Sequence, residues 1–151
     1  MPQSLDKIYL HLVFSTKNRE AWLSPELRTD LHAYLGGVCN GRNIPPVRIG
    51  GVADHVHLLA RFPRTVTVAA WVEEVKTTSS KWIKPRLGNN RNQFAWQRGY
   101  GVFSISPSHV DPLIHYIDNQ EAHHRKETFQ DEMRRFFKKY EVEFDEKYVW
   151  D

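Results

Sequence analysis

Apolar and polar positions follow two periods along this chain, and the switches between them divide it into elements. Lys7–Lys17, KIYLHLVFSTK, is rich in β-branched and aromatic residues and predicts a strand. Ser24-Pro25-Glu26 supplies a serine cap, a proline at the first helical position and an acidic first turn. Leu27, Leu31, Tyr34, Leu35 and Val38 then recur at helical spacing, and the helix should end near Asn40-Gly41. Pro45–Asp54 and His55–Phe62 are β-like runs in immediate succession, which predicts a hairpin turning near Ala53-Asp54. Thr65–Trp82 returns to the helical period, with Val68, Trp71, Val72, Val75, Ser79 and Trp82 on one stripe. Pro85 and Gly88 mark its exit into a polar loop, Gly88–Gln93, before a fourth strand at Tyr100–Ser106. Pro107-Ser108-His109 opens a third helix that buries Val110, Leu113, Ile114 and Ile117, and Lys126–Tyr140 reads as a basic amphipathic helix.

The order is β-α-β-β-α-β followed by helices. It matches the ferredoxin-like (RRM-like) α+β arrangement, an antiparallel sheet with helices on one face, here with C-terminal helices added. No repeat or linker interrupts it, and 151 residues suit a single domain, residues 1–151. Composition adds constraints. With 40% apolar and 26% charged residues the chain is an ordinary globular one, and a charge of +3 permits a polyanionic partner without requiring it. Cys39 is the only cysteine, which rules out an intrachain disulfide and suits a reducing compartment. The chain start lacks the layout of a signal peptide, and no apolar run approaches the roughly 20 residues of a membrane span. A cytoplasmic protein with no membrane partner is expected.

One stretch carries chemistry. In DHVHLLARF, Asp54–Phe62, a strand would point His55 and His57 the same way and Val56 the other. If the apolar residues pack against the helices, the histidine face looks outward to a ligand. On the third helix Tyr116 and Gln120 stand four apart, hence on one face. Two imidazoles and a carboxamide oxygen form an open, three-donor site that suits Mg2+ or Mn2+ holding a phosphate. A tyrosine beside it is a nucleophile for phosphorus, and the resulting phosphotyrosine ester keeps the phosphodiester energy for later rejoining.

These residues, in this order, resemble the single-tyrosine HUH-superfamily transposases of the insertion-sequence 200/605 type. His55-Val56-His57 matches the histidine–apolar–histidine motif, and Tyr116 and Gln120 match the family's tyrosine and its glutamine four residues on. The opening HLVFSTKNR is similar to the family's first strand, and the resemblance runs from about Tyr9 to Gln120. It implies a metal-dependent enzyme that cuts and rejoins single-stranded DNA at element-end hairpins. Tyr116 would form the 5′-phosphotyrosine link, with the ion on His55, His57 and Gln120. It also implies a homodimer, in which Tyr116 of one subunit can complete the histidine site of the other.

Rival readings are a host-adopted relative acting on repeated hairpins, an idle hairpin-binding protein, and a phosphoesterase that uses water. Lys17, Arg19, Lys76, Lys81, Arg91 and Arg98 are candidate phosphate contacts, each weighed against the reading of a solvated surface charge. Trp96, between the polar loop and the fourth strand, is the candidate exposed platform for an unpaired base. Trp71 and Trp82 lie on the helix stripe and read as core. His123 and His124 read as surface or DNA-contacting residues in preference to metal ligands, His115 as solvated, His109 as a helix-terminal residue, and Asp54 as a turn residue.

Overall fold

The computed structural model describes residues 2–151. Four antiparallel strands, β1 (Tyr9–Ser15), β2 (Pro46–Val52), β3 (His55–Arg61) and β4 (Gly101–Ile105), lie in the order β2-β3-β1-β4. The β2–β3 hairpin turns at Ala53-Asp54, as the composition of that segment predicts. Helix α1 (Pro25–Gly41) starts where Ser24 Oγ accepts the Leu27 N–H at 3.3 Å. Helix α2 (Val68–Ile83) starts where Thr67 accepts from Ala70 at 3.1 Å. Both helices cover one sheet face, packing on Leu10, Leu12, Phe14, Val56, Leu58 and Ala60.

The opposite face is also covered, and here the structure corrects the expectation of an outward-looking histidine face. Helix α3 (Val110–Asp118), the short α4 (Gln120–His123) and α5 (Phe129–Lys139) close over it. Phe129, Met133, Phe136 and Phe137 of α5 pack on Val13 and Phe103, while Ile117 of α3 packs near Leu59 and Ile105. The apolar stripe of Lys126–Tyr140 therefore has its partner within the chain. Its helix begins only at Phe129, where Thr128 Oγ accepts the Asp131 N–H at 3.1 Å. Residues 84–93 wind as tight 3-10 turns broken at Gly88, where the pattern predicts a polar loop over Gly88–Gln93.

One row across the sheet explains how two helices approach so closely. Gly50, His57, Val13 and Gly101 are successive cross-strand neighbours. A Cβ on Gly50 would lie 2.7 Å from Ile117 Cγ2 and 2.9 Å from the Ile117 carbonyl oxygen. A Cβ on Gly101 would lie 2.6 Å from Met133 Cε. The two glycines are thus seats for α3 and α5 on either side of His57.

Candidate active site

His55 and His57 project from β3 into the space beneath α3–α5, and both are fully buried. Hydrogen bonds hold each ring at both nitrogens. Asp54 Oδ1 lies 2.7 Å from His55 Nδ1, and His11 Nε2 lies 2.8 Å from His57 Nδ1. The Nε2 atoms of both face inward, His55 to Gln120 Oε1 at 3.0 Å and to Glu132 Oε1 at 3.3 Å, and His57 to the same Glu132 oxygen at 3.2 Å. His124 joins them, with Nδ1 on the Glu127 carbonyl at 2.8 Å and Nε2 on Glu132 Oε2 at 3.1 Å. One ligand atom from each of His55, His57, His124 and Glu132 lies within 4.8 Å of the others. Nitrogen and oxygen donors converging this closely fit a divalent ion.

Tyr116 stands over this cluster. Its hydroxyl donates to Glu132 Oε2 and accepts from Arg135 Nη2 at 2.8 Å, and its ring centroid is 5.9 Å from that of His57. One chain therefore brings its own tyrosine to its own histidines. Tyr116 and Gln120 meet as their spacing predicts, but not on one unbroken helix. Asn119, at φ −103° and ψ 23°, separates α3 from α4, and Gln120 turns inward to donate to Glu132 Oε2 at 3.2 Å.

The electrostatics follow from burial against this network. Burial alone would lower the His55 imidazole, but its bonds to Asp54 and Glu132 push it up to about 9. For His57 burial prevails and keeps it below the usual imidazole range. Burial alone would raise the Glu132 carboxyl, but His57 and the hydrogen bonds from His124 and His55 outweigh it and hold the group well below the usual range. Burial and the neighbouring Glu132 charge raise the Tyr116 phenol, and Arg135 pulls it back in part.

The candidate DNA contacts separate. Lys17, Lys81, Arg91 and Arg98 are exposed, and Arg19 is half-buried with its guanidinium on the Trp150 carbonyl at 3.3 Å. Lys76 is engaged inside the chain, donating to the carbonyls of Gln97, Arg98 and Gly99 at 2.7, 3.2 and 2.6 Å. Trp96 must be corrected. It is 8% exposed, packs edge-on against Phe14 and Phe94, and gives its N–H to Ser79 Oγ at 3.0 Å, so its ring offers no open platform. Three participants escaped the sequence reading, Glu132, His11 and Arg135, and His124, read there as a surface or DNA-contacting residue in preference to a metal ligand, turns inward onto Glu132. The alternation of His11 with Val13 and Ser15 on β1 was a usable signal, since it puts His11 on the histidine face once β1 neighbours β3. Nothing local marks Glu132 among the charges of α5.

Sheet, histidine pair, tyrosine and glutamine together define the single-tyrosine HUH class of transposases. The family model for IS200-like transposases matches residues 4–120, and the chain belongs to that family. The transposase for insertion sequence element IS200 of Salmonella typhimurium is 28% identical over 114 residues, spanning 73% of this chain and 74% of that protein. The Salmonella typhi counterpart matches equally. Among solved structures, a candidate transposase from Deinococcus radiodurans R1 superposes with a TM-score of 0.64 at 23% identity, covering 80% of this chain and 95% of that one. A REP-associated tyrosine transposase bound to a REP hairpin gives 0.59 at 16% identity, covering 82% and 73%. Both share the fold.

Proposed function

We propose that this transposase cuts and rejoins single-stranded DNA beside hairpins, with Tyr116 as nucleophile. The observation that carries the reading is the placement of the Tyr116 hydroxyl over the His55–His57 pair within one chain. The phenol oxygen bonds to the scissile phosphorus as the bond to the 3′ oxygen breaks. This leaves a 5′-phosphotyrosine link on the protein and a 3′-hydroxyl on the departing strand. The phenolic proton has an acceptor in Glu132, the 3′ oxygen takes up a proton, and reversal rejoins a strand. Arg135, on the phenol oxygen, favours the phenolate and then faces the new ester. His55, His57 and Gln120 would hold Mg2+ or Mn2+, which when bound withdraws charge from the phosphate.

A cleft of about 550 Å³ opens beside the cluster, where Arg19, Arg28 and Arg125 are balanced by Asp54, Glu121 and Glu127, and offers a strand an approach whose arginines can meet its phosphates. A hairpin ligand is suggested by the structural relative bound to a REP hairpin. The family's homodimer is part of the reading, with each Tyr116 serving the histidines of its own chain. The test incubates the protein with Mn2+ and single strands from its gene's flanks, then looks for a protein–DNA adduct on a denaturing gel. An adduct is expected, lost both with Tyr116→Phe and with chelator. Cleavage that survives Tyr116→Phe would transfer the work to water and refute the tyrosine mechanism.

A further inference from the structure

The family match ends at Gln120, yet the centre of the site is occupied by a side chain beyond it. Glu132 is fully buried, and among the described residues no lysine or arginine forms an ion pair with it. Its two oxygens instead face the Nε2 atoms of His55, His57 and His124, with that of His123 farther off at 3.9 Å, together with the Gln120 amide and the Tyr116 hydroxyl. An anion at such a depth is costly unless a cation shares the space.

The outer nitrogens of the same rings indicate what that cation is. His55 Nδ1 is on a carboxylate and His124 Nδ1 on a backbone carbonyl, both of which only accept, so each ring keeps its proton on Nδ1. In a neutral imidazole of that tautomer, Nε2 is left with a lone pair. Such partners are the usual companions of metal-bound histidines, which donate their far N–H to a carboxylate or carbonyl. His57 has the same option through His11 Nε2. Three rings thus present Nε2 toward one buried carboxylate, an arrangement that protons on those nitrogens satisfy when no ion is present and that a divalent ion takes over when it binds.

We infer that Glu132 is itself a ligand of the ion, with His124 beside it, so that α5 belongs to the metal centre together with β3 and α4. This rests on the metal-dependent reading above and extends its ligand set beyond His55, His57 and Gln120. One carboxylate on a divalent ion leaves a net positive charge, as a site for a phosphodiester needs. The same carboxylate also accepts from Tyr116, which ties the position of the nucleophile to the ion.

The inference is tested by binding, apart from catalysis. Chelator-stripped protein is titrated with Mn2+, and free ion is followed by its paramagnetic resonance signal, for the unaltered chain, Glu132→Gln, His124→Gln and His55→Ala. Glu132→Gln keeps the shape of the side chain while removing its charge, and circular dichroism melting shows whether each variant folds. We expect Glu132→Gln to weaken Mn2+ binding at least tenfold and His124→Gln several-fold, with His55→Ala as the reference loss. Should Glu132→Gln fail to fold, the result for His124→Gln decides, since that side chain lies at the edge of the cluster. Equal or tighter binding by Glu132→Gln, with binding lost in His55→Ala, would overturn this inference alone and make the carboxylate a plug that the ion must displace. An unaltered chain that binds no Mn2+ would overturn the metal-dependent reading and this inference together.

Discussion

Gly50→Ala tests whether the seat of α3 sets the position of the nucleophile. The added methyl would stand 2.7 Å from Ile117 Cγ2 and 2.9 Å from the Ile117 carbonyl oxygen. Carbon–carbon contacts are comfortable at about 3.5–4.0 Å, so about 1 Å must be found. The side chain could rotate away, but the carbonyl belongs to the helix, and β2 is fixed by its pairing with β3. The helix therefore moves, and Tyr116, the residue before Ile117, moves with it. Overpacking of this kind costs about 1–3 kcal/mol. For a domain of this size that is a fall in Tm of roughly 3–10 °C. A displacement of about 1 Å at a reacting group costs about 100-fold in rate. The assay is single-turnover formation of the protein–DNA adduct beside a thermal melt, with Gly37→Ala as control, since a Cβ there meets nothing within 4 Å. Adduct formation at the unaltered rate would refute the claim that this contact positions the tyrosine.

Arg135→Gln should slow adduct formation by about 10–1000-fold, because it removes the cation on the phenol oxygen. The measurement is the pH–rate profile, whose basic limb should move to higher pH; an unchanged profile would exclude Arg135 from the chemistry. Lys76→Met should cost about 2–3 kcal/mol, since three carbonyls lose their donor. The salt dependence of DNA binding should stay the same, whereas a reduced salt slope would restore Lys76 as a phosphate contact. Burial, assisted by Arg28, lowers His32 to about 4. The folded pKa then lies below the unfolded value of about 6.5, so this stability is complete above pH 6.5 and is lost as pH falls toward 4, by up to about 3 kcal/mol. His32→Leu should flatten the fall in Tm between those pH values, and an unchanged slope would refute the assignment. Mixing His57→Ala with Tyr116→Phe chains should restore no activity under the proposed arrangement, in which each tyrosine serves its own chain; recovery would establish a trans site.

The fold was legible because its signals are local. Strand period, the Ser24-Pro25 start and the Ala53-Asp54 turn each act over a few residues, and each appears where the pattern places it. The histidine pair was legible for the same reason, since period two sets His55 beside His57, whereas Tyr116 and Gln120 converge on Glu132 across a break at Asn119 that their spacing does not show. What was not legible depends on which sheet face the last helix covers. An amphipathic helix declares that it will pack somewhere, and α5 carries Phe129, Met133, Phe136 and Phe137 on one side, but its docking place follows from contacts distant in sequence. Trp96 failed in the other direction. A polar neighbourhood in sequence suggested exposure, but the isolated pairing of Thr16 with Trp96 folds the segment back against Phe14.

The docking of α5 changes what the histidine face is. Gly50 and Gly101 lie on the two edge strands, with two strands between them, in the row that contains His57, each under a different helix. Without these side chains, α3 and α5 descend on either side of one imidazole. One helix delivers Tyr116 and the other Glu132 and Arg135 to the same few ångströms. A bulky residue at either glycine would hold its helix off the sheet and separate the nucleophile from the groups that govern its proton. Gly101→Val should therefore affect the reaction through α5 as Gly50→Ala does through α3. It should weaken Mn2+ binding together with the rate, because the carboxylate withdraws with its helix. A variant that lost adduct formation but bound Mn2+ normally would show that α5 serves the tyrosine alone.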